Sequence, residues 1–135
     1  MLRVRQLSPA DAALLFRDGL AGAGISPGRW EAGCTAGSFL AFTAQRGGNP
    51  VGFAVASSDP RQLRVAALVG EAGAAGPLLD RVVRAAGERD VSVWCPAGHA
   101  RLRALLRRRG FARVGRSDDG GPPADLYHLS RNERV

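Results

Sequence analysis

Apolar and polar positions alternate at the start of the chain, from Leu2 to Leu7, as in a strand with one buried face. Ser8-Pro9-Ala10-Asp11 follows with the features of a helix start: a serine cap, proline at the first helical position and an acid where a capping box places it. Ala12, Leu15, Phe16 and Leu20 recur at helical spacing, and Gly22 and Gly24 end the run. Residues 25–38 are glycine-rich and irregular, with a short helix expected around Trp30. Residues 39–46 and 51–58 read as strands joined by Gly47-Gly48-Asn49-Pro50, which predicts a hairpin. A third long strand is expected over 62–69. A small-residue loop follows over 70–76, then a helix from about Ala74 to Arg89 with Leu78, Leu79, Val82, Val83 and Ala86 on one face. Residues 91–95 form a short buried strand. A helix over 99–109 turns Leu102, Leu105 and Leu106 inward and stops at Gly110. Strands over 111–116 and 125–131 close the chain, separated by a polar Gly/Pro loop.

The order β-α-β-β-β-α-β-α-β-β, with a hairpin leading into a β-α-β unit, implies an α/β fold with a mixed, mostly antiparallel twisted sheet of about six to seven strands and helices on both faces. No repeat and no long linker divides the sequence, so one domain is expected over residues 1–135. No apolar run reaches the roughly 18 residues of a membrane span, and the start lacks the apolar block of a signal peptide, which points to a cytoplasmic protein with no membrane partner. Cys34 and Cys95 have no metal-ligand spacing with each other or with His99 and His128, so no metal is expected.

One segment has the local chemistry of a phosphate site. In Gly70-Glu71-Ala72-Gly73-Ala74-Ala75-Gly76-Pro77, a strand passes through a glycine-rich turn into a helix. Small side chains let the backbone approach a ligand. The first helical N–H groups lack internal acceptors and stand at the positive end of the helix dipole, which suits a pyrophosphate. The same sequence could simply be a tight strand-to-helix connection. The charge agrees with an anionic partner without specifying one: the net charge is +7, and all 19 basic residues are arginine.

The element order together with this loop resembles the GNAT superfamily of acetyl-CoA-dependent N-acetyltransferases. The family pattern, Gln/Arg-x-x-Gly-x-Gly/Ala ahead of a helix with paired leucines, falls on residues 70–75. Gly73 and Ala75 match, Leu78-Leu79 stand in the leucine positions, and Gly70 replaces the Gln or Arg. A second pattern, Asn-x-x-Ala-x-x-Leu-Tyr followed by Gly-Phe, falls on 99–111. Leu105 and Gly110-Phe111 match, His99 takes the Asn place and Leu106 the Tyr place. In the family that tyrosine often protonates the leaving thiolate, which a leucine cannot do.

The resemblance implies acetyl-CoA as co-substrate and direct attack by an amine, from a small molecule or a protein. It implies that Gly70, Glu71, Ala72, Gly73, Ala74, Ala75 and Gly76 bind the coenzyme pyrophosphate, with His99, Arg103 or Arg101 at a coenzyme phosphate. It also implies that Trp30 and Phe39 lie beside the acceptor pocket. Backbone amides at a bulge around Val65 to Leu68 would meet the thioester oxygen. No catalytic acid or base is singled out. Glu71 and Asp59 are carboxylates near the loop and the strand, and Tyr127 is an alternative acid, with His128 pointing to the opposite face.

Two other readings stand beside this one. The first is a catalytically degenerate GNAT-like module that binds acyl-CoA or a protein partner. The second is a basic nucleic-acid-binding domain, disfavoured because no stacking platform accompanies the arginines. A homodimer through an edge strand or an apolar patch is a further expectation.

Overall fold

The computed structural model describes residues 2–8, 10–11, 26–35, 37–71, 73–117 and 123–130. Strand β1 (Leu2–Gln6) is followed by the expected cap: Ser8 Oγ accepts a hydrogen bond from the Asp11 N–H at 3.2 Å, and Ala10 and Asp11 are helical. The rest of that predicted helix lies outside the described residues. Helix α1 (Pro27–Thr35) begins with the same grammar, Ser26 Oγ accepting from the Arg29 N–H at 3.2 Å.

Strands β2 (Phe39–Arg46) and β3 (Asn49–Ser58) form the hairpin. The turn is shorter than the sequence suggests. Only Gly47 and Gly48 lie outside the strands, with φ of 58° and 84°, the left-handed pair that a two-residue hairpin turn requires. Pro50 is inside β3, opposite Gln45 at a register shift and beyond the first residue that pairs with β4, so its missing N–H costs no bond to β4.

Strand β4 (Gln62–Gly70) leads into helix α2 (Ala75–Ala86), then β5 (Asp90–Pro96), helix α3 (Ala100–Arg108), β6 (Ala112–Ser117) and β7 (Ala124–Leu129). Helix α2 stops three residues short of the expected Arg89, because Gly87 takes φ 60° at the C-cap.

The sheet order is β1-β2-β3-β4-β5-β7-β6. The single parallel pair is β4–β5, the two strands that α2 joins; every other pair is antiparallel. Strand β3 is buried on both faces and divides the core. Ala54 and Ala56 face the cluster that holds Leu78, Leu79 and Val82 of α2 with Leu102 and Leu106 of α3. Phe53 and Val55 face the other side, where they pack with Leu7, Ala41 and Trp30 of α1. Leu78, Leu79 and Val82 are fully buried, and each contributes roughly 1.5–3 kcal/mol through its burial. The small residues Ala44, Ala54 and Ala56 beneath them leave space for α2 to lie close on the sheet.

Candidate functional site

Strands β4 and β5 pair only from Gln62–Asp90 to Val65–Val93. Both continue past that point, β4 to Gly70 and β5 to Pro96, without pairing to each other, while β4 stays on β3 and β5 on β7. The sheet therefore opens into a cleft of about 170 Å³. One wall is Val65, Ala66, Ala67 and Leu68; the other is Val93, Trp94, Pro96, His99 and Leu102. Such a volume accepts an acyl group and the sulfur end of a thioester. It is below the roughly 300 Å³ at which pockets for whole drug-sized ligands begin.

The β4 wall contains a bulge. Val55 pairs with Ala67 and Ala56 with Val65, so Ala66 has no opposite residue in β3. A bulged residue stands outside the ladder, and this one lines the cleft.

At the end of β4 the chain turns sharply into α2. The Glu71 N–H donates to the Val51 carbonyl at 3.0 Å, and the Ala74 N–H to the Glu71 carbonyl at 3.1 Å. Gly73 has φ 93°, and nothing stands within 4 Å of where its side chain would be. Ala74, at the N-cap, has no side chain to cap with, and the first turn of α2 holds no acid. The N–H groups of Gly73, Ala75 and Gly76 make no hydrogen bond among the described residues. These donors stand at the positive end of the helix, with Gly73 exposed, Ala75 half-buried and Gly76 buried beside Arg109.

The sequence matches no family model, and no curated protein matches it closely. Solved structures do match over nearly the whole chain. The acetyltransferase of GNAT family from Streptococcus pneumoniae aligns with a TM-score of 0.72 at 15% identity, covering 96% of this chain and 98% of that one. The ribosomal-protein-alanine N-acetyltransferase from Brucella melitensis aligns at 0.71 and 19% identity, covering 95% and 99%. Arabidopsis thaliana NAA60, in complex with acetyl-CoA, aligns at 0.71 and 14% identity, covering 96% and 98%. The fold is the GNAT fold.

Within the GNAT fold, the residues picked out by sequence fall as follows. Gly70 ends β4 in close approach to Gly52. Glu71 is exposed, and its carboxylate is paired with Arg46 at 3.0 Å. Ala72 lies outside the described residues. Gly73 is exposed at the turn and Ala75 half-buried, while Ala74 and Gly76 are buried. His99 caps α3: its Nδ1 accepts from the Leu102 N–H at 3.2 Å while the ring lines the cleft. Arg103 lies one turn on, close enough to Cys95 for its charge to oppose the upward push that burial gives the thiol pKa.

Leu106, in the tyrosine position, is fully buried in the core. Tyr127 is also buried, its hydroxyl making no hydrogen bond among the described residues. His128 points the other way and meets Asp90 at 3.3 Å, as strand alternation requires. Asp59 is engaged elsewhere, its Oδ1 accepting from the N–H groups of Arg61 and Gln62 at 2.8 and 2.9 Å. Trp30 and Phe39 stack at 5.3 Å in the core cluster on the α1 face, against which the cleft residue Ala67 packs.

The structure adds one arginine that sequence reasoning passed over. Arg109 binds Asp80 through both carboxylate oxygens, at 2.7 and 3.2 Å. Its guanidinium lies across the start of α2, where a Cβ on Gly76 would be 3.0 Å from Nη2. The signal was available in the spacing. Arg109 continues the inward face of Leu102, Leu105 and Leu106, so it turns toward α2, whereas Arg101, Arg107 and Arg108 are exposed.

Proposed function

We propose that the protein is an acetyl-CoA-dependent N-acetyltransferase. The observation that carries this reading is the joining of two features: a cleft split between β4 and β5 with a bulge in its wall, and an uncapped glycine-rich helix start beside it. The coenzyme supplies the activated acetyl group as a thioester. The N–H groups at the start of α2, Gly73 and Ala75 foremost, fit its pyrophosphate, and Arg109, held by Asp80, lies at the same place. Backbone groups freed at Ala66 fit the thioester carbonyl oxygen, where negative charge grows as an amine attacks. The acceptor amine would enter from the α1 face, where Ala67 and the half-exposed Trp94 form an apolar entrance. Much of the rate would come from holding amine and thioester together.

The buried Leu106 favours a second reading, a GNAT-fold module that binds acyl-CoA without turning it over. Thermal unfolding with acetyl-CoA and with free CoA tests the binding that both readings share. A ligand at 100 times its Kd adds about 2.7 kcal/mol of stability, which raises Tm by several degrees. Gly73→Glu places a carboxylate against the pyrophosphate and is expected to abolish the rise. Gly73→Ala carries only the backbone strain and separates that effect from charge. No rise at millimolar coenzyme would remove both readings. A rise with no transfer to a broad amine panel would favour the second.

A further inference from the structure

We propose that the His99 Nε2–H faces the thioester sulfur and stabilises it as the carbon–sulfur bond breaks, taking the part for which the GNAT pattern uses a tyrosine at position 106. The inference rests on the transferase reading above and assigns a residue to the half of the reaction that Leu106 leaves unserved.

Among the described residues lining the cleft, His99 has the only titratable side chain. Its hydrogen bond decides which ring nitrogen can act. Nδ1 accepts from the Leu102 N–H at 3.2 Å, so Nδ1 carries a lone pair, and in the neutral ring the proton sits on Nε2. The helix cap therefore holds the imidazole as a hydrogen-bond donor with Nε2–H left for a ligand.

Position selects sulfur as the partner. Ala66 and its bulge stand on the β4 wall, and His99 on the wall facing it. A thioester whose carbonyl oxygen meets the bulge presents its sulfur to the other side. The other N–H donor on that wall, the Trp94 indole, is on the opposite face of β5 from the core residues Val93 and Cys95. His99 instead heads α3, on the same face of the sheet as the α2 start that would hold the pyrophosphate.

The chemistry balances without deprotonating the imidazole. The attacking nitrogen forms a bond to the carbonyl carbon. The carbon–sulfur bond breaks and its electron pair stays on sulfur. The proton that the nitrogen loses ends on the thiol, carried through cleft water. His99 keeps its own proton and offers it as a hydrogen bond while sulfur is charged, as preorganised donors do for developing anions.

Two measurements test this. The first is cleavage of acetyl-CoA by water, read as free thiol, which needs no knowledge of the acceptor. His99→Asp keeps a good N-cap and carries no donor. Its rate is expected to fall about 10–100-fold, with the coenzyme-induced rise in Tm retained. An unchanged rate overturns the proposal.

The second measurement is ¹⁵N NMR of the imidazoles; the chain has two histidines, so the signals separate. The free protein should show His99 protonated at Nε2. CoA should shift that nitrogen, and desulfo-CoA, which lacks the sulfur, should shift it far less. Equal shifts, or protonation at Nδ1, overturn the proposal. If neither coenzyme raises Tm, the transferase reading fails by that separate observation and takes this one with it.

Discussion

Gly70 and Gly52 meet across β3 and β4 with no room for a side chain. A Cβ on Gly70 would lie 2.7 Å from Gly52 Cα and 2.8 Å from the Val51 carbonyl oxygen. A side chain at this position, such as the Gln or Arg of the GNAT pattern, would meet the neighbouring strand. Gly70→Gln, which restores the pattern, should therefore lower Tm by roughly 5–10 °C in a melting experiment. Asp59 has a different kind of local importance. The N–H groups of Arg61 and Gln62 bond its carboxylate and hold its pKa below the usual range. A depressed folded-state pKa contributes stability that is present above the unfolded value of about 3.9 and is lost as pH falls through the folded value. Asp59→Ala should lower Tm by a few degrees at neutral pH. In melts at successive pH values, the gap to the parent protein should narrow as pH falls below about 4.

At the scale of elements, the two helices beside the cleft are tied by one ion pair. Arg109, just after α3, grips Asp80 in α2, and this bond is the main cause that raises the arginine's pKa. The side chains are 32% and 58% exposed, so water screens the pair and the coupling should be about 0.5 kcal/mol. A double-mutant cycle with Arg109→Met and Asp80→Asn measures it, and the coupling should shrink in 1 M salt. The strand and helix assignments were largely legible in the sequence, because caps and periodicity are local. Ser8 and Ser26 each accept a hydrogen bond from the N–H three residues on. The hairpin was legible too, through its two glycines. The length of its turn was not, because Pro50 reads as a breaker until its place at the end of the β3–β4 ladder is known.

For the whole molecule, the feature that matters is an interruption. The sheet is continuous from β1 to β6 except where β4 and β5 stop pairing after Val65 and Val93. Amides that face such a split, on strands otherwise held by β3 and β7, exchange readily unless something covers them. Acetyl-CoA should therefore slow exchange at residues 65–68 and 93–95, and leave the β1–β2 ladder on the far side of the sheet unchanged. Uniform slowing, or none, would place the coenzyme elsewhere. No helix among the described residues is long and apolar enough to cross a membrane.

The sequence by itself determined what depends on neighbours along the chain: which segments are strands and helices, where serine and glycine begin and end them, and that a glycine-rich turn enters α2. It also exposed the replaced positions, Gly70, His99 and Leu106, through the spacing of two motifs. Only the tertiary structure decided what depends on residues distant in sequence. A side chain at Gly70 would meet Gly52, which comes from another strand. Arg109 reaches the start of α2 because α3 lies beside it. The cleft exists because two strands that pair through four residues then diverge. His99 stands at that cleft because the chain after β5 brings it to the space between β4 and β5, while a local cap uses its Nδ1. Local hydrogen bonding is written in short-range spacing; the meeting of two walls is set only when the core has packed.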